Sequence, residues 1–240
     1  MNNLFLEERD KWMERGYPGL LTEWMGKDSL VFDIGANIGR MTYVYLSLGA
    51  RVVAVEPQSV CVNEQLRPRL GNDDRVTIVH AAVGERNGET TITTYGHGST
   101  ISTLVPDHYW QKGGPWQGTP HDGAETVQMV TMDVLIRRFG VPDFAKIDVE
   151  GYEQQVLEGL SQFIPLSFEF HPFFREQACT CMERLMELEP RVEFNHTEGE
   201  SLTYASPEWL GRAAMGNVLD ALYEQHGRIY FGNIYARKAV

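Results

Sequence analysis

Cysteine is scarce in this chain: Cys61, Cys179 and Cys181 are the only three in 240 residues. Three thiols cannot build a disulfide framework, so a reduced, cytoplasmic setting is expected. The "CTC" at 179–181 offers too few ligands for a zinc site and reads as helix with a buried thiol. Long apolar runs are missing too, so no membrane association is expected. The opening MNNLFLEERDKW turns charged after one helical turn, unlike a secretory signal. Positive charge is in the minority, with 21 Lys and Arg against 33 Asp and Glu and a net charge of −12. A nucleic-acid partner needs clustered cations to neutralise phosphate, and none stands out, so none is expected. What remains is an ordinary globular composition, 42% hydrophobic and 22% charged, at a length that suits one α/β domain with an elaboration.

Residues 1–28 are amphipathic and read as a helical extension of two short helices broken at GYPG. Residues 29–240 alternate. LVFDIG is a short apolar strand, and Ile38, Met41, Val44, Tyr45 and Leu48 follow at helical spacing up to Gly49. RVVAVEP is a second strand, Val62, Leu66 and Leu70 mark a helix, and RVTIVHAAVG is a third strand. Near-continuous apolar strands separated by helices predict a doubly wound, mostly parallel α/β sheet covered on both faces. GETTITTY is a further strand or half a hairpin. The stretch 96–126 then loses all period and gathers His97, His108, Tyr109, Trp110, Trp116 and His121. A loop of that length and content predicts a lid over a substrate. Alternation resumes with TVQMV, DFAKIDVEG, PLSFEFHP, RVEFNHT and RIYFGNIYARK as strands, and Ser206–Pro207 reads as a helix start.

One absence decides among nucleotides. A dinucleotide fold asks for G-x-G-x-x-G, so that backbone can approach a pyrophosphate. Here the first strand runs into D-x-G-x-x-x-G: Asp33, Gly35 and Gly39, with Ala36 and Asn37 where the second glycine would fall. An acid at the loop repels pyrophosphate but attracts the ammonium and sulfonium of S-adenosylmethionine. The N–H groups at the helix start suit its carboxylate. Glu56, 21 residues after Gly35 and followed by Pro57, stands where a ribose-binding acid is expected.

VFDIGANIGRMT, VVAVEPQ, VTIVHAAVGERNGE, GSTISTL, VTMDVLI and AKIDVEGYEQQVLEGL follow one another in the order seen in FkbM-type S-adenosylmethionine-dependent methyltransferases. The resemblance covers roughly residues 30–200, with KIDVEGYE its most specific mark. It implies a class I methyltransferase (Rossmann-like) fold, with a seven-stranded sheet whose last strand is antiparallel. It also implies methyl transfer, most often to a hydroxyl oxygen of a sugar, polyketide or other small metabolite. Ser102, within GSTISTL, then belongs to a loop near the cofactor.

The expected cofactor contacts are Asp33, Gly35, Ala36, Asn37, Gly39, Glu56, Pro57, Ala82, Ser102 and Asp148, with the adenine ring beside Ala81 and Ala82. Strand alternation places Lys146, Asp148 and Glu150 on one face, and Glu169 and His171 on the face opposite Phe168 and Phe170. Glu150 is also a candidate cap for the following helix. Methylating an alcohol is helped by a base near the methyl carbon. His171 is the first candidate and Asp148 the second, with Glu169 beside them. Asp148 paired with Lys146, and His171 bonded to a backbone carbonyl, are the bland alternatives. No metal ligand is assigned, although Asp148, Glu150, Glu169 and His171 together leave a divalent-ion variant open. The expected activity is O-methylation of a hydroxyl on a small-molecule acceptor. The rivals are an NAD(P)-dependent oxidoreductase and a non-catalytic binding module of the same fold, and a homodimer is left open.

Overall fold

A computed structural model describes residues 17–105, 117–199, 201 and 203–239. The first helix of the N-terminal extension, and the loop residues His108, Tyr109, Trp110 and Trp116, lie outside the described residues. Helix α1 (Tyr17–Leu21) begins within the GYPG stretch expected to separate two helices. No described helix is long and apolar enough to cross a membrane.

The strands are β1 (Leu30–Ile34), β2 (Arg51–Glu56), β3 (Val76–His80), β4 (Ala82–Val83), β5 (Gly88–Thr94), β6 (Gly123–Val130), β7 (Phe144–Ile147), β8 (Leu166–Phe170), β9 (Val192–Glu198) and β10 (Gly232–Lys238). Seven of them form one sheet in the order β3-β2-β1-β7-β8-β10-β9. Its first five strands run parallel, and β10 lies antiparallel to both β8 and β9. This is the doubly wound, mostly parallel seven-stranded sheet that the alternation and the resemblance implied.

The single third strand expected over RVTIVHAAVG divides. β3 stays in the large sheet, the chain bends at Ala81, and β4 joins β5 and β6 in a small sheet ordered β4-β6-β5. The hairpin expected at GETTITTY is real, but its second arm is β6, far along the chain. Pairing with Thr94, Thr93 and Ile92 draws Gly123, Ala124 and Glu125 into β6, so the irregular stretch ends before residue 123 rather than at 126. The helix expected at Ser206–Pro207 starts later, at Arg212. Asn195 holds residues 206–208 against β9 through Ser206 and Glu208, and Leu210 bridges to Phe194.

The helices are α2 (Arg40–Ser47), a wide-turn segment Cys61–Leu66 running into α3 (Arg67–Leu70), α4 (Met132–Phe139), α5 (Glu153–Glu158), α6 (Arg175–Leu188) and α7 (Arg212–His226). They divide over the two faces. Phe32, Ile34, Val53, Ala145, Ile147, Leu166, Phe168 and Ile234 point to one face and are buried with Leu135, Leu157, Met182, Leu185 and Leu219 from α4 to α7. Val31, Val52, Ala54 and Phe144 point to the other, against Leu21, Val44, Tyr45 and Leu66. Cys179 and Cys181 are both buried on α6.

The second face changes character along the strands. Beyond Val31, Val52 and Phe144, register aligns Asp33, Lys146, Ser167, Tyr235 and Asn195 as one polar row across five strands. Two residues nearer the carboxyl ends of the parallel strands, Glu169, Asn233 and Thr197 form a second row. Each strand therefore keeps its apolar side toward α4–α7 and offers polar groups on the opposite side, where ligands of parallel sheets bind.

Phe168 is fully buried at the centre of β8. Phe168→Ala is expected to cost about 3–5 kcal/mol through lost burial and a residual cavity. Urea unfolding should show this as a lower midpoint with an unchanged slope.

Candidate functional site

The loop after β1 is shaped by close approaches. Gly35 adopts φ 82°, and a Cβ there would lie 1.7 Å from the Asp148 carbonyl oxygen, so only glycine lets the β1 loop approach the end of β7 this closely. Asn37 is also left-handed, at φ 48°; its side chain accepts from the Ile38 N–H, and its own N–H donates to Glu56. Gly39 lines neither of the two cavities described below. A Cβ on it would strike Leu66 and Leu70, so its part is to let α2 pack on the Cys61–Leu70 segment.

Two cavities meet at Gly35, Asn37, Thr100 and Asp148. The first, about 630 Å³, is lined by Gly35, Asn37, Glu56, Pro57, Gln58, Ala81, Ala82, Ile92, Ser102, Leu104, Asp148 and Glu150 among others. The second, about 930 Å³, lies over the polar rows: Asp33, Ala36, Lys146, Ser167, Glu169, Asn233 and Tyr235 line it, with Leu21, Arg40, Met41 and Tyr45 closing it from the helical side.

In the first cavity Glu56 is buried, and its two oxygens accept from Asn37 N–H at 2.8 Å and Gln58 N–H at 2.9 Å. These bonds aim the carboxylate and leave each oxygen a lone pair for a donor such as a ribose hydroxyl. Ser102 Oγ donates to Gln58 Oε1 at 3.0 Å, and Gln58 Nε2 donates to the Ser99 carbonyl. Gln58 thereby ties the GSTISTL loop to the end of β2, a role that its sequence position did not disclose. Ala81, Ala82, Ile92 and Leu104 supply the apolar walls a flat ring needs.

Asp33 lies on β1, within the strand read at LVFDIG, beneath the loop and fully buried. Thr42 donates to its Oδ2, while Oδ1 has no partner among the described residues. A buried acceptor without a partner, on a residue beside the second cavity, fits a ligand with a cationic donor, and the ammonium of S-adenosylmethionine is such a group. The Gly35 turn, the unpartnered Asp33 oxygen and the aimed Glu56 carboxylate together fit that cofactor.

Beyond β7 the expected common face for Lys146, Asp148 and Glu150 breaks down. Lys146 and Asp148 share it, with Nζ and Oδ2 2.7 Å apart. The strand has ended by Glu150, which sits at φ 55° and turns the chain. Glu150 does not cap the next helix either, whose start carries no side-chain cap. Glu153 braces the turn before it instead, its Oε1 accepting from Val149 N–H and Gly151 N–H.

His171 is buried and lines neither cavity. Its Nδ1 donates to the Tyr230 carbonyl at 3.2 Å, and its Nε2 stands 3.7 Å from Glu169 Oε2. Burial opposes a charged imidazole, but the Glu169 carboxyl beside it lifts its pKa above the usual value. Burial pushes Glu169 up, and the charge of Asp148 adds to the shift. Of the catalytic candidates, Asp148 and Glu169 face the second cavity, and His171 stands behind Glu169. Glu150, Glu169 and His171 bring one possible ligand atom each within 4.8 Å of one another, while Asp148, the fourth member of the metal variant, is held by Lys146. No metal is assigned to this group.

Sheet order, a glycine turn over a buried acid, and a second acid at the end of β2 define a class: S-adenosylmethionine-dependent methyltransferases with a Rossmann-like sheet. The model of the methyltransferase FkbM domain matches residues 33–230, and the chain belongs to that family. Membership decides against the dinucleotide oxidoreductase. Among solved structures, the chain is similar to precorrin-6Y C5,15-methyltransferase of Geobacter metallireducens, at 14% identity and TM-score 0.46, covering 93% of this chain and 87% of that one. It is also similar to a TehB-like SAM-dependent methyltransferase of Corynebacterium glutamicum, at 9% identity and TM-score 0.46, covering 99% of each. No curated protein matches the chain.

Burial pushes the Glu56 carboxyl up to about 7, against the pull of the Gln58 and Asn37 N–H groups. A diol donates better to a carboxylate than to a neutral acid, so affinity for S-adenosylhomocysteine should rise from about pH 6 and level off near pH 8. Titration calorimetry should find weaker binding and no such rise in Glu56→Gln. In the free protein the sign is opposite. Between 4.5 and about 7 the native Glu56 keeps a proton that the unfolded chain has lost, so its contribution to stability falls as pH rises through that window.

Proposed function

We propose that this methyltransferase transfers the methyl group to a hydroxyl oxygen of a small, polar acceptor. The observation that carries the reading is the second cavity. Its floor offers Ser167, Asn233 and Tyr235 beside the carboxylates Asp148 and Glu169, and it joins the first cavity at Gly35 and Asp148. A greasy acceptor would leave those polar groups unpaired, at a cost that a hydroxylated one avoids.

S-adenosylmethionine, when bound, supplies an electrophilic methyl carbon on its sulfonium. Glu56, aimed by Asn37 and Gln58, holds the ribose hydroxyls. Ala81, Ala82, Ile92 and Leu104 enclose the adenine, with Pro57 and Ser102 at its edge. Asp33 takes the methionyl ammonium on its unpartnered oxygen, and N–H groups at the start of α2 face the methionyl carboxylate. Asp148 stands at the junction of the cavities, facing the donor sulfonium on one side and the acceptor hydroxyl on the other. Glu169 receives the proton that leaves the acceptor oxygen as the oxygen–carbon bond forms. Its raised pKa brings it nearer to working pH as a base. His171, its tautomer fixed by the Tyr230 carbonyl, stabilises Glu169 from behind. His171 thus moves from first candidate base to supporting group, because it does not reach the cavity.

Incubation with S-adenosylmethionine and a panel of hydroxylated small molecules, followed by mass spectrometry and NMR of the product, tests the reading. An oxygen-linked methyl supports it; a carbon- or nitrogen-linked methyl refutes the choice of acceptor atom. Glu169→Gln is expected to lower kcat about a hundredfold or more while leaving the affinity for S-adenosylhomocysteine within about twofold.

A further inference from the structure

Lys146 is a nearly buried cation at the centre of the polar floor. It lies on β7 with Asp33 of β1 as its register partner on one side and Ser167 of β8 on the other. Its side chain is 13% exposed, and its Nζ is 2.7 Å from Asp148 Oδ2. An ammonium in such a place persists only if nearby carboxylates offset its lost hydration. Burial pulls its pKa down, but Asp148, Asp33 and Glu169 outweigh that and keep it charged. The dependence is mutual. Burial pushes the Asp33 carboxyl up, and Lys146 is the largest influence opposing the shift. The other ionisable groups facing this region are Glu169 on β8, Tyr235 on β10, and Tyr45 and Arg40 on α2.

A positive charge beneath a positively charged methyl donor looks counterproductive, and simple Coulomb repulsion would weaken donor binding. The geometry points to the opposite net effect: we propose that Lys146 is a positioning residue for the methyl donor, holding the Asp148 carboxylate from below, at the junction of the two cavities, in the orientation that receives the sulfonium. Without the ammonium, Asp148 loses its tether and its partly exposed carboxylate is free to turn away from the donor. The site then loses more attraction than it gains by shedding one repulsive charge. This inference rests on the reading of the two cavities as a methyl-donor and acceptor site.

Affinities for S-adenosylmethionine and S-adenosylhomocysteine test it, because the two ligands differ only by the methyl group and its charge. Calorimetry on the full chain would compare wild type with K146M, K146Q and K146R. In K146M, the ratio of donor affinity to product affinity is expected to fall about tenfold, and K146R is expected to keep it. K146Q retains a hydrogen-bonding group but no charge. It is expected to lose the ratio too, and it carries the test if K146M does not fold. A ratio that rises in K146M and K146Q would mean that Lys146 acts only by repulsion, which overturns the proposal. An unchanged ratio with equal losses for both ligands would mean that it serves the shared methionyl end or the fold, and also overturns it. Wild type that binds neither ligand would bring down the donor-site reading itself, a result distinct from all of these.

Discussion

Ionisable groups in the middle of a sheet are tolerated only when they face one another, and in this protein that condition organises the site. Asp33, Lys146 and Asp148 come from β1, β7 and the turn that follows it, and neither buried group, Asp33 nor Lys146, could stay charged alone in that surrounding. Their mutual compensation lets the face toward α2 change from apolar to polar within two residues. The opposite face stays apolar throughout, so α4 to α7 keep a continuous core while the α2 side opens into a cavity.

The glycine turn follows from the same constraint. Gly35 must pass the Asp148 carbonyl at a distance no side chain permits, and that approach brings the β1 loop and the end of β7 together at the cavity junction. Asn37 then reaches Glu56 through its N–H, which aims the carboxylate at the end of β2. Three strands are thus linked at their carboxyl ends by short polar contacts, and the two cavities lie on either side of the linkage. Glu153 and Gln177 brace the turn after β7 from the other side, through the Val149 and Gly151 N–H groups and the Gly151 carbonyl.

Much of the fold was readable in the residues, because apolar period and turn chemistry are local. The strands β1, β2, β7, β8, β9 and β10 and the helices between them lie where alternation places them. The departures were all non-local. β3 and β4 divide because β6, over forty residues on, offers β4 a different partner. Ser206–Pro207 carries a helix-start pattern, yet Asn195 on β9 captures that segment. In the site, Asp33, Gly35 and Glu56 announced themselves through spacing. Gln58, Ser167, Asn233 and Tyr235 did not, since each is an unremarkable polar residue until register brings it to the floor.

The sequence by itself determined the class of protein: the spacing of Asp33, Gly35 and Glu56 and the rhythm of strand and helix specify a donor site at the carboxyl edge of a parallel sheet, and both are properties of contiguous stretches. Only the tertiary structure decided which charges face each other. It put His171 behind Glu169 rather than in the cavity, turned Glu150 off the strand, left Gly39 to packing, and set Lys146 between Asp33 and Asp148. Those outcomes depend on strand register and on where each strand ends, and both are settled by pairing between segments distant in the chain.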